Sequence, residues 1–201
     1  MAGAGAAGTA VLKLLLGAGA NPGSVVVCDD KGAVHKNRPG MDSSLKWIAE
    51  TTNRDDYAGN LKGALAGADV FIGLSAPGIL SGDDIGQMAS QAIVFALANP
   101  EPEVDPDAAL EHAAVVATGR SDYPNQINNV LAFPGVFRGL LDAQSRVVTE
   151  DMLVAAAQAL ADVVLPDEIG PHYIIPSVFH PDVTSSVAAA VRDAATQQPA
   201  Q

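Results

Sequence analysis

Short apolar runs alternate along the chain with longer segments of helical spacing. Four near-continuous apolar runs predict β-strands, at residues 24–28, 69–73, 92–97 and 113–118. Helices are predicted between and after them, at residues 9–20, 44–50, 60–66, 83–90, 149–163 and 182–195. Strands that are apolar on both faces and alternate with helices are typical of a parallel sheet that is covered on both sides. The pattern therefore predicts an α/β fold built on a doubly wound parallel sheet.

The last third of the chain has a different character. Residues 166–181 contain four prolines and predict an ordered connection between the last two helices. The polar residues 197–201 predict a disordered tail. Because no repeat or low-complexity linker marks a boundary, the sequence predicts a single domain over residues 1–196.

Composition and charge exclude several classes of protein. Of the 201 residues, 48% are hydrophobic and 17% are charged, which is globular and not disordered composition. The net charge of −12 argues against nucleic-acid binding, which needs a basic face. No run of 18 or more uncharged apolar residues and no signal-peptide pattern is present, so we expect no membrane association and a cytoplasmic protein. The single cysteine, Cys28, lies in an apolar run and is predicted to be a buried structural thiol.

A glycine-rich turn at the start of the chain carries the first chemical signal. Its residues are Gly3, Gly5, Ala6, Ala7 and Gly8, and they match the G-x-G-x-x-G turn of dinucleotide-binding βαβ units. The first glycine allows a tight turn, the second a close approach to a pyrophosphate, and the third close packing of helix and strand. About 20 residues later an apolar run ends at Asp29, whose carboxylate is suited to accept hydrogen bonds from a ribose.

Such a turn normally follows a strand, but only Met1 and Ala2 precede it here. We therefore expect the first strand to be largely missing and the chain to be an N-terminally truncated fragment or a reading frame begun at an internal methionine. A flexible glycine- and alanine-rich terminus is the alternative interpretation of the turn.

Three further segments follow predicted strands. They are residues 67–78, which include Ser75, residues 98–103, which include Asn99, and residues 118–135, which include Asn128 and Asn129. In a parallel sheet all three would meet at the carboxyl edge, where ligands bind. Taken singly, Asn99-Pro100 could be an ordinary turn and Asn128-Asn129 could cap a helix.

Together these segments resemble the NAD(P)-binding C-terminal domain of malic enzyme, specifically the short bacterial type. The resemblance runs from residue 3 to about residue 195. It implies NAD(P)-dependent oxidative decarboxylation of (S)-malate to pyruvate and CO2 in the parent enzyme, with Mg²⁺ or Mn²⁺, in a homo-oligomer. It also implies a site for each ligand. The implied dinucleotide contacts are Gly3, Gly5, Ala6, Ala7, Gly8, Asp29, Ser75 and Asn99, and the implied substrate contacts are Asn99, Asn128 and Asn129.

Asp29 would repel the 2′-phosphate of NADP, so we expect NAD to be preferred, although Lys31 and Arg38 could offset that repulsion. The resemblance places the tyrosine acid, the lysine base and most metal ligands upstream of this domain, so we expect no catalytic and no metal-binding residue in this chain and no activity alone. A non-catalytic nucleotide-binding module and another two-domain NAD(P)-dependent dehydrogenase are the alternatives.

Two charged groups in these segments are interpreted as structural. Arg120 and Asp122 are predicted to form a local pair that shapes their loop. Glu101 and Glu103 are surrounded by prolines, which predicts an exposed loop and not a metal site.

Overall fold

The computed structural model describes residues 1–196, which form two compact units, the first Met1–Tyr123 and the second from Pro124 onward. The predicted tail at residues 197–201 lies outside the described residues. Within the described part of the chain, no helix has both the length and the apolar character needed to cross a membrane.

The first unit contains a mainly parallel sheet. Its strands are β1 (Cys28–Asp29), β2 (Gly32–Ala33), β3 (Val70–Gly73), β4 (Ile93–Ala96) and β5 (Val115–Thr118). Strands β3, β4 and β5 are parallel neighbours in that order, with Phe71 opposite Val94 and Val94 opposite Val116. β1 and β2 form a short antiparallel pair. The parallel strands therefore present their carboxyl ends at one edge of the sheet.

The start of the chain joins these two groups of strands. Ala2 makes parallel bridges to both Cys28 and Gly73. Its N–H donates to the carbonyl of Ile72 at 2.8 Å, and its own carbonyl accepts from Leu74 at 2.8 Å. Ala2 thus occupies the strand position between β1 and β3, and the glycine turn leaves the sheet at its carboxyl edge.

Five helices belong to the first unit: α1 (Ala6–Gly17), α2 (Ser43–Thr51), α3 (Leu61–Ala64), α4 (Gly82–Ile85) and α5 (Pro106–Leu110). Side-chain caps set several of their starts, because Asp42, Asn60, Ser81 and Asp105 each accept a hydrogen bond from a backbone N–H in the first turn. Apolar side chains form two buried clusters. One contains Phe71, Val94 and Val116 from the strands, and the other joins Leu12 of α1 to Ile48 of α2.

The second unit is helical, with α6 (Phe133–Asp142), α7 (Glu150–Ala161) and α8 (Val183–Thr196). Two glycines let α6 approach α8, since a Cβ at Gly135 would lie 2.6 Å from Cβ of Val187 and one at Gly139 would lie 2.7 Å from Cβ of Val191. Val136, Met152, Val187 and Val191 are the larger members of this unit's core. Thr149 caps α7, as its position before two acidic residues predicts.

The predicted α/β class with a parallel sheet is confirmed, with differences in detail. The run at 24–28 was expected to be a strand, but only Cys28–Asp29 is one. Residues 24–26 instead line a cavity of about 430 Å³ together with Val70, Phe71 and Ile72. α5 and α6 were not predicted, because α5 is only five residues long and α6 contains two glycines and a proline.

Candidate functional site

The glycine turn at the start of the chain is built by close backbone contacts. Gly3 has a φ of +108°, and a Cβ there would overlap the carbonyl oxygen of Leu74, 2.9 Å from its carbonyl carbon. A Cβ at Gly8 would overlap the carbonyl oxygen of Gly3 and lie 2.8 Å from its carbonyl carbon. Both positions therefore require glycine for the first turn of α1 to pack against the end of β3.

Gly5 has a different environment. It is the N-cap residue of α1, and a Cβ built on it would meet no atom within 4 Å. No side chain caps the helix, and no acidic residue lies in its first turn. Gly5, Ala6 and Ala7 are exposed and Gly8 is buried. The first N–H groups of α1 have no partner within the helix and lie at the positive end of the helix dipole, which is the arrangement that binds anions.

Asp29, at the end of β1, is held by two donors. The guanidinium of Arg38 donates to Oδ2 at 2.6 Å, and the backbone N–H of Lys31 donates to Oδ1 at 2.8 Å. Burial by itself raises the pKa of Asp29, but the hydrogen bond from Arg38, the one from Lys31 and the nearby positive charges outweigh it, so the pKa of this carboxyl lies below its usual value. Asp29 is thus ionised at neutral pH.

Arg38 is itself largely occupied. Its side chain is only 9% exposed, and its second terminal nitrogen donates to the carbonyl oxygens of Gly32 and Ala33 at 3.4 and 3.5 Å. A guanidinium committed to Asp29 and to two carbonyls leaves few donors for another anion.

Two of these groups, Gly3 and Asp29, line one cavity of about 460 Å³ in the first unit, whereas residues 5–8 and Asn99 are not part of its lining. Its lining includes Gly3, Asp29 and Ser75, so the structure brings three of the sequence-predicted residues together. Asn60, Leu61 and Lys62 also line it and were not singled out from the sequence. These three residues lie at the start of the short helix α3, which has no distinctive sequence pattern, so nothing in the sequence indicates that they line a cavity. Cys28 lines the same cavity and is buried. Its burial raises the pKa of the thiol, as expected for an unreactive cysteine.

Glu103 departs from the expectation for its loop. Glu101 is exposed as predicted, but Glu103 is completely buried. Its Oε1 accepts from the backbone N–H of Ser75 at 2.8 Å and its Oε2 from that of Ala98 at 3.0 Å. The prediction of exposure was wrong for this residue, because the carbonyls of Pro102 and Glu103 accept hydrogen bonds from the loop after β3, and Gly73 leaves room for the carboxyl group.

The predicted substrate amides are exposed and lie on loops of different units. Asn99 follows β4 in the first unit, and its peptide bond to Pro100 is cis. Asn128 and Asn129 belong to the second unit. The side chain of Asn128 accepts from the N–H of Val130 at 3.0 Å and caps the short 3-10 turn Asn129–Leu131, so the capping interpretation holds for this residue.

Two structural side chains shape the segment after β5. Arg120 donates to both oxygens of Asp122 at 2.9 and 2.6 Å, which confirms the predicted local pair and lowers the pKa of Asp122. Asn125 is 5% exposed; its amide nitrogen donates to the carbonyl of Pro171 at 2.9 Å, and its oxygen accepts from Ile174 at 2.8 Å. Asn125 therefore attaches the proline-rich connection to the start of the second unit.

In residues 1–196, no group of three or more His, Cys, Asp and Glu side chains could hold a metal ion.

Comparison with known proteins agrees with this geometry. The family model described as "Malic enzyme, NAD binding domain" matches residues 1–196. An NAD-dependent malic enzyme of Geobacillus stearothermophilus is 51% identical over 195 residues, which are 97% of this chain and 40% of that protein. A bifunctional malic/malolactic enzyme of Bacillus subtilis is 48% identical, and the match covers 97% of this chain and 48% of that protein.

Solved structures give the same result for the fold. A malic enzyme from Entamoeba histolytica superposes with a TM-score of 0.91 at 40% identity, covering 98% of this chain and 42% of that one. A malic enzyme from Pyrococcus horikoshii has a TM-score of 0.91 at 41% identity, covering 98% and 47% of the two chains. The chain thus spans less than half the length of these relatives. It has their Rossmann-like fold, and it belongs to the malic enzyme family as an NAD-binding domain.

Proposed function

We propose that this chain is the dinucleotide-binding part of an NAD-dependent malic enzyme, which oxidises (S)-malate and releases pyruvate and CO2 with the help of Mg²⁺ or Mn²⁺. The observation that carries the proposal is the cavity that Gly3, Asp29 and Ser75 line together, next to the uncapped start of α1. The family membership supports the choice of reaction.

In this proposal, residues of the cavity and of the adjacent start of α1 contact different parts of the dinucleotide. The N–H groups of Ala6, Ala7 and Gly8 hold the pyrophosphate, and Gly3 and Gly5 let the backbone come close to it. Asp29 accepts hydrogen bonds from the adenosine ribose, since its carboxylate oxygens have more lone pairs than Arg38 and Lys31 use. Ser75 lies along the dinucleotide, and Asn99 reaches its nicotinamide end.

Uncharged hydrogen-bond donors are proposed to bind the substrate beside the nicotinamide ring, where the hydride is transferred. When bound, NAD supplies the acceptor for the hydride that leaves C2 of malate. Asn99, Asn128 and Asn129 are proposed to orient the substrate, because an amide donates to a carboxylate or hydroxyl without adding charge to the site. This chain holds no proposed acid, base or metal ligand, so those steps are assigned to the rest of the enzyme.

The hydrogen bonds that Arg38 already makes favour binding of NAD over NADP. A 2′-phosphate at the ribose would meet the ionised Asp29, and Arg38 is already bonded to that carboxylate and to two carbonyls. We therefore expect NAD to bind more tightly than NADP in titrations of the purified protein. Tighter NADP binding would contradict this assignment.

A domain exchange tests the function as a whole. The matched 195 residues of the Geobacillus malic enzyme are replaced by this chain, and absorbance at 340 nm records NADH formation with malate and Mn²⁺. We expect malate-dependent NADH and pyruvate from the chimera and none from this chain alone. A folded chimera that binds NAD but does not oxidise malate would favour the nucleotide-binding module or another dehydrogenase. The homo-oligomeric state, a cytoplasmic location and the lack of membrane and nucleic-acid partners remain part of the proposal.

A further inference from the structure

We propose that Glu103 is a positioning residue that holds the loops after β3 and β4 in the arrangement needed to bind the nicotinamide half of the dinucleotide. The inference rests on the proposed function and assigns a role to a residue outside the dinucleotide and substrate contacts proposed above.

Glu103 joins two separate loops through one carboxyl group. Oε1 accepts from the N–H of Ser75, in the loop after β3, at 2.8 Å. Oε2 accepts from the N–H of Ala98, in the loop after β4, at 3.0 Å. Because each oxygen serves a different loop, the carboxyl group fixes the two loops relative to each other and not only relative to its own backbone.

The backbone around Glu103 adds to this link. The carbonyl of Glu103 accepts from Leu80 at 3.0 Å, and that of Pro102 accepts from Gly78 at 3.0 Å. Main-chain hydrogen bonds therefore join the segment 102–103 to the β3 loop at Gly78 and Leu80, while the carboxyl group binds Ser75 and reaches across to the β4 loop.

The site around the carboxyl group is shaped to receive it. Glu103 is fully buried, and a Cβ at Gly73 would lie 2.6 Å from each of its oxygens. Burying a carboxylate is costly unless donors replace its water, and an apolar residue of similar size would fill the space at less cost. A role in packing alone does not explain a carboxyl group at this place, whereas a link between two loops does.

Loss of the Glu103 link is expected to weaken binding mainly at the nicotinamide half of the dinucleotide. Ala98 directly precedes Asn99, which is proposed to reach the nicotinamide end, so a shift of the β4 loop moves that contact. Ser75 lines the cavity together with Gly3 and Asp29, so a shift of the β3 loop moves a residue proposed to lie along the dinucleotide. The glycine turn depends on other bonds, because Ala2 is held in the sheet by Ile72, Leu74 and Cys28. Adenosine monophosphate contains no nicotinamide half and does not need Asn99, so we expect Glu103 to influence its binding much less than that of NAD.

The test compares Glu103→Gln with Glu101→Gln as the matched control, since Glu101 lies in the same loop but is exposed. The glutamine keeps the shape of the side chain but presents an NH2 group to one of the two N–H donors. We expect calorimetric titration to show about tenfold weaker NAD binding for Glu103→Gln, the size expected for losing a hydrogen bond to a charged group. Binding of adenosine monophosphate should stay within about twofold, and Glu101→Gln should match wild type with both ligands.

Equal losses for NAD and adenosine monophosphate would show a general structural role and overturn the inference, and so would unchanged NAD binding. If wild type binds neither ligand, the proposed function fails and the inference fails with it. If wild type binds NAD and Glu103→Gln binds it equally well, only the inference is refuted. Amide hydrogen exchange of the wild-type chain is a second measurement that does not depend on the variant folding. The N–H groups of Ser75 and Ala98 should both exchange slowly, and rapid exchange of either would overturn the link.

Discussion

The glycine turn allows ligand binding and folding to be separated by two alanine substitutions three residues apart. Gly8→Ala places a Cβ 2.8 Å from the carbonyl carbon of Gly3, where ordinary carbon contacts are about 3.5–4.0 Å. The atoms of Gly3 that the Cβ meets belong to the backbone and cannot rotate away, so the first turn of α1 must move by roughly 1 Å. Overpacking of this kind costs about 1–3 kcal/mol, which lowers the midpoint of a chain of this length by roughly 2–12 °C.

Gly5→Ala should behave in the opposite way. The new Cβ meets no atom within 4 Å, and Gly5 has a φ of −79°, which alanine adopts without strain. The weaker N-cap and the lower entropy of the unfolded chain nearly offset each other, so we expect a change in stability below about 0.5 kcal/mol. The Cβ would nevertheless stand where the pyrophosphate approaches the helix. Losing a hydrogen bond to that charged group corresponds to about 10- to 150-fold weaker NAD binding.

The assay is a thermal melt followed by circular dichroism and a calorimetric titration with NAD, both on wild type and the two variants. The expected result is a lower midpoint for Gly8→Ala, and an unchanged midpoint with weak NAD binding for Gly5→Ala. Normal NAD affinity of Gly5→Ala would show that the pyrophosphate does not lie at the start of α1. An unchanged midpoint of Gly8→Ala would contradict the close packing of the turn.

Three further outcomes follow from the same structure. Replacing Asn99 or Asn129 by Ala in the chimeric enzyme should lower kcat/KM for malate about 10- to 150-fold with little change in melting temperature; normal malate kinetics in both variants would exclude them from the substrate site. The pKa of Asp29 is lower in the folded state than in the unfolded chain, where it is about 3.9. The pairing of Asp29 with Arg38 therefore stabilises the fold fully above the unfolded pKa, and this stabilisation is lost as the pH falls through the lower folded pKa. In urea denaturation the stability advantage of wild type over Asp29→Asn should thus be constant from about pH 7 to pH 5 and shrink below about pH 4, and an advantage that grows on acidification would reverse the sign assigned here. Asn125→Ala removes a buried side chain together with its hydrogen bonds to Pro171 and Ile174, and it places alanine at a φ of +55°. It should destabilise the chain by roughly 1–3 kcal/mol. A midpoint equal to that of wild type would show that the proline-rich connection is held by other contacts.

Local patterns in the sequence were sufficient for the fold class and for strands β3, β4 and β5, but not for α5 and α6. The apolar runs at β3, β4 and β5 predict parallel strands because near-continuous apolar runs between helices are typical of such a sheet. In the structure, β3 and β4 alternate between fully buried and more exposed positions, with Val70 45% exposed and Phe71 buried. The glycine turn is also a local signal, since positive φ at Gly3 and the absence of a Cβ at Gly8 are properties of the residues themselves. Fold class and family could therefore be predicted from consecutive residues.

Contacts between distant residues could not be predicted in this way. Glu103 has an exposed glutamate two residues before it and proline neighbours, and nothing nearby in the sequence shows that Ser75 and Ala98 would provide its hydrogen bonds. Likewise, the charge of Arg38 suggested an offset to Asp29, but only the structure shows that the two side chains bond directly.

The sequence alone thus determined the α/β class, the position of the glycine turn and the malic enzyme family, because each depends on short-range spacing and residue type. The tertiary structure decided which polar groups are buried, which are already bonded and which remain available to a ligand. Those properties depend on hydrogen-bond partners that the fold brings together from 28 residues away, in the case of Glu103 and Ser75, and that no local pattern specifies.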